Sequence, residues 1–369
     1  MRILFINTIQ MFGGGEVWML RSLKALRDRG HQVFLLCRPG VLLEQQAKEA
    51  GIRVFTFQVR GDFGPLSILR TARLIKRENI QIILNNMEKE LRFSGVAAKL
   101  VGNCVVISRR GIDHPLKNKL RYRFTYNVLA DGIIANSRAT KASLLKNAPW
   151  LNPDRIKVIY NGIDPEPFLQ PPVYDLKEKL GLAPQARIIG FVGQLDERKG
   201  IDTLLASFEI VASENADVHL VLAGEGAKRA AIEQFARQHN LTARIHLLGF
   251  QKDITDIMKG IDALVLPSLW EGFGIVLIEA MAAGKPAITT NVSSMPEIVV
   301  DNETGRVVPV NDEKALAAAM QQIVRDPQLA RQWGAKGRQR VLELFTIDRM
   351  IDELEDYFRR HIDKKLKVK

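Results

Sequence analysis

Two cysteines, Cys37 and Cys104, are too few for a disulfide framework or a thiolate metal centre. Each lies inside an apolar run, as a reduced, buried thiol of a cytosolic protein would. No stretch approaches the roughly 20 apolar residues of a membrane-spanning helix. The opening run Met1–Ile6 stops at polar Asn7 and Thr8, without the longer apolar region and small-residue cleavage site of a secretory signal. It reads as a first buried strand. Asp-x-Asp, P-loop, His-Glu-x-x-His and Cys-x-x-Cys patterns are all absent, as are low-complexity segments and short-period repeats. These absences set aside integral membrane proteins, P-loop nucleotide hydrolases, zinc peptidases and dithiol redox enzymes.

What remains is ordinary globular material, 46% apolar and 25% charged, in a 369-residue chain long enough for two domains. The net charge of +12 is unevenly spread: residues 1–165 hold 27 Lys/Arg against 12 Asp/Glu, and residues 166–369 hold 26 against 29. Residues 109–157 alone carry eleven Lys/Arg and three acids. A field of that sign attracts acidic lipid headgroups, a phosphorylated acceptor or nucleic acid, or else is a solvated basic surface.

Short apolar runs alternate with amphipathic segments throughout, the pattern of parallel sheets with crossover helices. In the first half the spacing predicts strands at 3–7, 33–37, 54–57, 82–84, 105–108 and 133–135. Helices stop at Gly30, Gly51 and Asn79, each just before a new strand. A proline-rich stretch from Asn161 to Val173 marks the domain boundary. Strands are then predicted near 188–192, 218–222, 245–248, 263–266 and 287–289. The fold class is α/β, with two doubly wound domains and a cleft as the expected active site, because such sheets bind ligands beyond their strand carboxyl ends.

The first βα turn, Phe12-Gly13-Gly14-Gly15-Glu16, lets backbone N–H groups approach an anion or a sugar hydroxyl, and serves equally as a tight turn. A dinucleotide fingerprint fails there, since its third glycine would fall on Trp18 and the second strand ends at Cys37-Arg38 without an acid. The most informative segment runs from Pro267 to Pro286: a strand end, a glycine-containing loop, then a helix from about Gly274 to Gly284. Glu271 before the helix and Glu279 within it can face one pocket at the helix mouth, where the amides of Gly272 to Ile275 are free for a phosphate. By spacing alone, Glu271 could equally stabilise the helix start and Glu279 be solvated.

Segment 267–286 resembles the E-x7-E motif of glycosyltransferase family 4, enzymes of the GT-B fold. The likeness continues in order through Gly13–Glu16, Asn136-Ser137, Val158–Asp164, Gly193–Gly200, Leu222–Gly226, Leu248–Phe250, Pro296-Glu297 and Thr304-Gly305. It implies two Rossmann-like domains facing each other across a cleft. Residues 1–165 form the basic, acceptor-side domain, and 166–345 the nucleotide-sugar-binding domain. Residues 346–369 are a helix and basic tail packing back on the first. The resemblance gives Glu271 the donor sugar hydroxyls and Glu279 the ribose. It gives the distal phosphate to the amides of Phe273, Gly274 and Ile275, with Gly272 beside them. Lys199 neutralises the diphosphate; its fixed charge favours the departing group more than the ground state. Gly14, Gly15 and Gly224 line the donor. Phe250 borders the base or belongs to the core.

Two departures stand out. Gln194 occupies a position that is often arginine in the family, which shifts the load to Lys199 with Arg198 as a helper. Arg109 or Arg110 stands where many members carry a histidine. Either arginine could clamp an anionic sugar or phosphate, or join the basic face. His114, beside Pro115, reads as a loop residue. Glu16, Arg109, Arg110 and His114 are thus the acceptor-side candidates.

The implied activity is a retaining, metal-independent hexosyl transfer by front-face substitution, in which the leaving phosphate takes the acceptor's proton. The donor is a nucleotide-sugar, UDP-linked by preference, with no cofactor. The acceptor is a glycan or lipid-linked molecule, anionic in character, in bacterial cell-surface polysaccharide or lipopolysaccharide biosynthesis. The protein is expected in the cytoplasm, in peripheral contact with an anionic membrane face and with no nucleic-acid partner. The alternatives are a nucleotide-sugar epimerase or hydrolase of the same fold, and a nucleic-acid-binding protein, which leaves the acidic second half without a purpose.

Overall fold

The computed structural model describes residues 1–11, 13–59, 61 and 63–367. Phe12 of the glycine turn and Val368 and Lys369 of the basic tail lie outside the described residues, as do Arg60 and Asp62. The chain divides into two compact units, Met1–Asn161 with Ile347–Lys369, and Gly162–Thr346.

The first unit is built on a seven-stranded, all-parallel sheet. Its strands are β1 (Arg2–Asn7), β2 (Gln32–Cys37), β3 (Arg53–Thr56), β4 (Ile82–Asn85), β5 (Val105–Arg110), β6 (Gly132–Ala135) and β7 (Ile156–Val158), in the order 3-2-1-4-5-6-7. Successive side chains of a strand point to opposite faces. Accordingly Leu4 and Ile6 join one core and Ile3 and Phe5 the other, both without solvent exposure. Covering both faces explains why these strands are nearly uninterrupted Val/Ile/Leu runs. The predicted helix stops share one device. Gly30 (φ +84°), Gly51 (φ +70°) and Asn79 (φ +48°) take left-handed conformations. Paired bonds such as Gly30 N to Arg27 O (2.8 Å) and His31 N to Leu26 O (3.1 Å) close each end.

The second core is completed by the last helix, Ile347–Lys367, whose Ile351, Leu354 and Phe358 are fully buried against Phe5, Trp18 and Ile107. Trp18 Nε1 donates to Met350 Sδ (3.0 Å), and Lys365 Nζ pairs with Asp131 (2.8 Å). Cys37 and Cys104 are buried free thiols, and burial pushes both up to about 12.

The second unit repeats the plan with six parallel strands: β8 (Arg187–Val192), β9 (Val218–Ala223), β10 (Ile245–Gly249), β11 (Ala263–Leu266), β12 (Ala287–Thr290) and β13 (Gly305–Val308), in the order 10-9-8-11-12-13. β7 and β13 lie outside the predicted strands. Both are short edge strands, and Lys157 and Arg306 interrupt the apolar signal. In each sheet the order reverses beside the first strand, between β1 and β4 and between β8 and β11. These are the switch points where loops diverge and ligands of such sheets bind. No helix among the described residues is long and apolar enough to cross a membrane.

Candidate active site

In the second unit the loops that leave β8 and β11 meet. Two glycines permit this. A Cβ on Gly200 would stand 2.0 Å from Pro267 O, and one on Gly224 would stand 1.8 Å from Gly193 O. Both distances are impossible, so only glycine lets the backbones lie in contact. Cross-ties fix the arrangement: Leu269 N to Arg198 O (2.8 Å), Leu195 N to Glu225 O (2.9 Å) and Gly224 N to Gly249 O (2.8 Å). The result brings Lys199 Nζ onto Glu271 Oε2, while Glu271 Oε1 accepts from Gly272 N (3.0 Å). The Lys199 and Glu271 side chains are only 16% and 15% exposed. Two further polar atoms here, Asp196 Oδ1 and Ser268 Oγ, are buried without a hydrogen-bond partner.

The loop then turns through Gly274 (φ +85°) into the helix Ile275–Ala282, which is shorter than the predicted span to Gly284. Phe273 is buried edge-on to Phe345 (6.2 Å), and its carbonyl accepts from Ser294 Oγ (2.9 Å). Anchoring Phe273 inward fixes the amides that follow at the helix mouth, which lack intrahelical acceptors. Glu279 is buried in that helix, so the solvated alternative is corrected. Phe250, beyond the end of β10, is 77% exposed, so it is not a core residue. Arg198 points to its own loop instead of standing free, bonding Asp196 Oδ2 (2.6 Å) and Gln194 Oε1 (3.0 Å).

The first unit's switch point is organised differently. Asn7 and Asn85, which end β1 and β4, are fully buried. Asn7 Nδ2 donates to Glu16 Oε1 (2.7 Å), and Glu16 Oε2 accepts from Gly13 N (2.9 Å), so Glu16 pins the glycine turn to the strand end. Gly14 and Gly15 open the helix Gly14–Asp28, and a Cβ on Gly15 would meet Asn86 Nδ2 at 3.3 Å. Glu90 accepts from Thr8 Oγ1 (3.1 Å), Asn86 N (3.0 Å) and Met87 N (2.9 Å), joining the loops after β1 and β4. Burial pushes this carboxyl up to about 7, against hydrogen bonds from Thr8, Met87 and Asn86 that pull it down.

Arg109 is 3% exposed, which corrects the reading of it as one more member of the basic face. Its guanidinium lies 3.6 Å from the Trp18 ring centroid and donates to Asn86 Oδ1 and Asn161 Oδ1, both at 3.0 Å. Burial lowers its pKa to about 9, with the Glu16 charge pulling the other way. Arg110 is engaged by Glu88 Oε1 (2.8 Å) and Tyr126 Oη (3.3 Å), and reaches the carbonyl of the exposed loop residue His114 (3.3 Å). Asn7, Asn86, Glu90 and Asn161 escaped the sequence analysis. The available signal was the Asn85-Asn86 pair at a strand end and Glu90 at the third position of the helix Glu88–Val101.

The chain matches two family models, one described as Glycosyltransferase Family 4 over residues 12–167 and one as Glycosyl transferases group 1 over residues 174–340. It is 31% identical over 248 residues to the alpha-maltose-1-phosphate synthase of Mycolicibacterium smegmatis. That match spans 63% of each chain, under two thirds of the relative's length. Against the Escherichia coli UDP-Gal:alpha-D-GlcNAc-diphosphoundecaprenol alpha-1,3-galactosyltransferase, identity is 27% over 307 residues, covering 79% of this chain and 78% of that one. The crystal structure of Anabaena HepE in complex with UDP superposes with a TM-score of 0.86 at 21% identity, covering 98% of this chain and 100% of the other, a likeness of fold.

Proposed function

Because the chain belongs to glycosyltransferase family 4 and has the GT-B fold, we propose that it transfers a hexose-type sugar from a nucleotide-sugar, UDP-linked by preference, to a glycan or lipid-linked acceptor, retaining the anomeric configuration without a metal ion. The observation that carries this reading is the Lys199–Glu271 pair at the mouth of the helix Ile275–Ala282. Glu271 holds sugar hydroxyls with a carboxylate that accepts from two at once. Lys199, released in part to the diphosphate, and the amides after Phe273 offset the charge that grows on the leaving group. That phosphate takes the acceptor's proton as the new glycosidic bond forms on the same face. Asp196 Oδ1 and Ser268 Oγ, buried and unpaired, fit a site completed by a polar ligand. Glu279 takes the ribose, and Phe250 borders the base.

The names of the relatives support the donor class and favour neither the epimerase or hydrolase nor the nucleic-acid reading. On this reading the enzyme serves bacterial cell-surface polysaccharide or lipopolysaccharide biosynthesis and works at the cytoplasmic membrane face, with the first unit as the acceptor side. Segment 117–128 supports that contact: Lys117, Lys119, Arg121 and Arg123 with no acid. Along the helical run Leu120–Leu129, Leu120, Phe124 and Val128 recur every fourth residue and are 80%, 45% and 47% exposed. Apolar residues on one face with basic neighbours suit an anionic bilayer surface.

The deciding measurement is a melting-temperature series with UDP, GDP, ADP and their sugar conjugates. A UDP-hexose should raise the transition, since a ligand bound only by the native state stabilises it. If no nucleotide shifts it, the donor assignment is wrong.

A further inference from the structure

Arg38, the residue after β2, differs from the two site arginines of its unit. Arg109 and Arg110 are engaged by Asn86, Asn161 and Glu88, whereas Arg38 Nε is sealed from solvent without a partner. Its side chain forms part of the wall of a pocket of about 550 Å³, within the range of small-ligand sites. The other walls come from Gln10 in the loop after β1, Gly40 and Leu42 after β2, and Gln58 and Val59 after β3. Among the described residues that line it, Arg38 is the only charged one. The acid nearest to Arg38 in sequence, Glu44 in the helix Leu42–Glu49, is already spent: it accepts from Gly40 N (2.6 Å) and pairs with Lys48 (2.6 Å).

Resting on the acceptor-side assignment of the first unit, we propose that this pocket binds an oxyanion carried by a sugar, a phosphate ester or a uronic carboxylate on the acceptor. The terminal N–H groups of a guanidinium present a planar fork that two oxygens of one oxyanion accept together. Gln10 and Gln58 supply amide donors and acceptors for the neighbouring hydroxyls. The pocket lies at the carboxyl edge of the sheet, where ligands of doubly wound folds are held. Gln10 also shares its loop with the glycine turn. Arg38 thereby selects the acceptor by charge.

The test measures binding of glucose 6-phosphate, glucuronate and glucose to the full chain by calorimetry, for the wild type, Arg38→Gln and Arg38→Lys. At least one anionic sugar should bind wild type about tenfold more tightly than glucose, and which one does so identifies the oxyanion. Arg38→Gln should erase that preference, and Arg38→Lys should restore part of it, keeping the charge but losing the fork. Arg38→Gln should melt no lower than wild type, because the N–H it removes has no partner. Equal binding of anionic and neutral sugars by wild type overturns the proposal. So does an anion preference that survives Arg38→Gln, or a lowered melting temperature with binding intact. UDP is titrated in the same samples: failure of wild type to bind it sinks the donor-site reading instead, leaving the two failures separable.

Discussion

The two units share one topology and use it in opposite ways. At the β8/β11 switch point, bare backbone contacts at Gly200 and Gly224 bring a lysine and a glutamate together at a helix mouth. At the β1/β4 switch point, side chains occupy the equivalent place: buried Asn7 bonds Glu16, and half-buried Asn86 links buried Glu90 and Arg109. The first is a platform with charge at its surface. The second is a mostly buried scaffold, and five of the first unit's other cations stand on segment 117–128 and at the Arg38 pocket. The comparison teaches that strand order fixes where loops diverge, while the residues in those loops decide whether the place is open to a ligand or filled by the protein.

The largest effect that could break this contrast is at the charged pair. Glu271→Ala should reduce transfer about a thousandfold or more with the fold intact. Lys199→Ala should lower kcat by about a hundred- to a thousandfold while UDP affinity changes less than about tenfold. Retained turnover in Glu271→Ala would remove the platform's role. Next comes the backbone contact: Gly224→Ala should cost about 3 kcal/mol or more, read by urea unfolding, because the new Cβ collides with Gly193 O. Gly14→Ala, with nothing within 4 Å of its Cβ, should leave stability within about 0.5 kcal/mol. Equal losses at the two positions would dissolve the distinction.

A third, smaller effect concerns the basic face. Replacing Arg121 and Arg123 by Gln should weaken partitioning onto anionic vesicles by about 1 kcal/mol per charge, and Leu120→Ser with Phe124→Ser should weaken it further. Unchanged sedimentation with vesicles would return the segment to solvent. A further effect tests the buried scaffold through pH. Glu90 sits at about 7 in the folded chain against an ordinary 4.5, so the folded state holds the extra proton between those values. Stability from this group is therefore complete below about pH 4.5 and falls as pH rises toward 7. Glu90→Gln cannot titrate, so the stability difference, wild type minus variant, should be larger at pH 5 than at pH 8. A difference independent of pH would show that Glu90 is charged throughout.

Much of the second unit's candidate site was legible because each partner lies in a marked local segment, although Lys199 and Glu271 are 72 residues apart. Lys199 precedes Gly200, Glu271 precedes Gly272, and the strands that present them are continuous apolar runs. The first unit's site was not, because single polar residues without a glycine-loop pattern around them do not announce which others they meet: Arg109 bonds Asn161, 52 residues on, and Thr8 bonds Glu90, 82 residues on. A count of charges marks Arg109 as basic surface, and only its neighbours reveal a cation held against Trp18. The edge strands β7 and β13 escaped for the reverse reason: they are three and four residues long and partly wet, so their apolar signal is weak.

The last helix has a consequence for how the chain comes off the ribosome. The wall formed by Ile351, Leu354 and Phe358 belongs to the core of the amino-terminal unit, yet it is made after every residue of the other unit. Vectorial synthesis therefore delivers the contiguous 162–346 segment in full before the unit that began first can close. The helices Gly14–Asp28 and Leu42–Glu49 cover part of that face early, and the rest of it stays open until the final turns emerge.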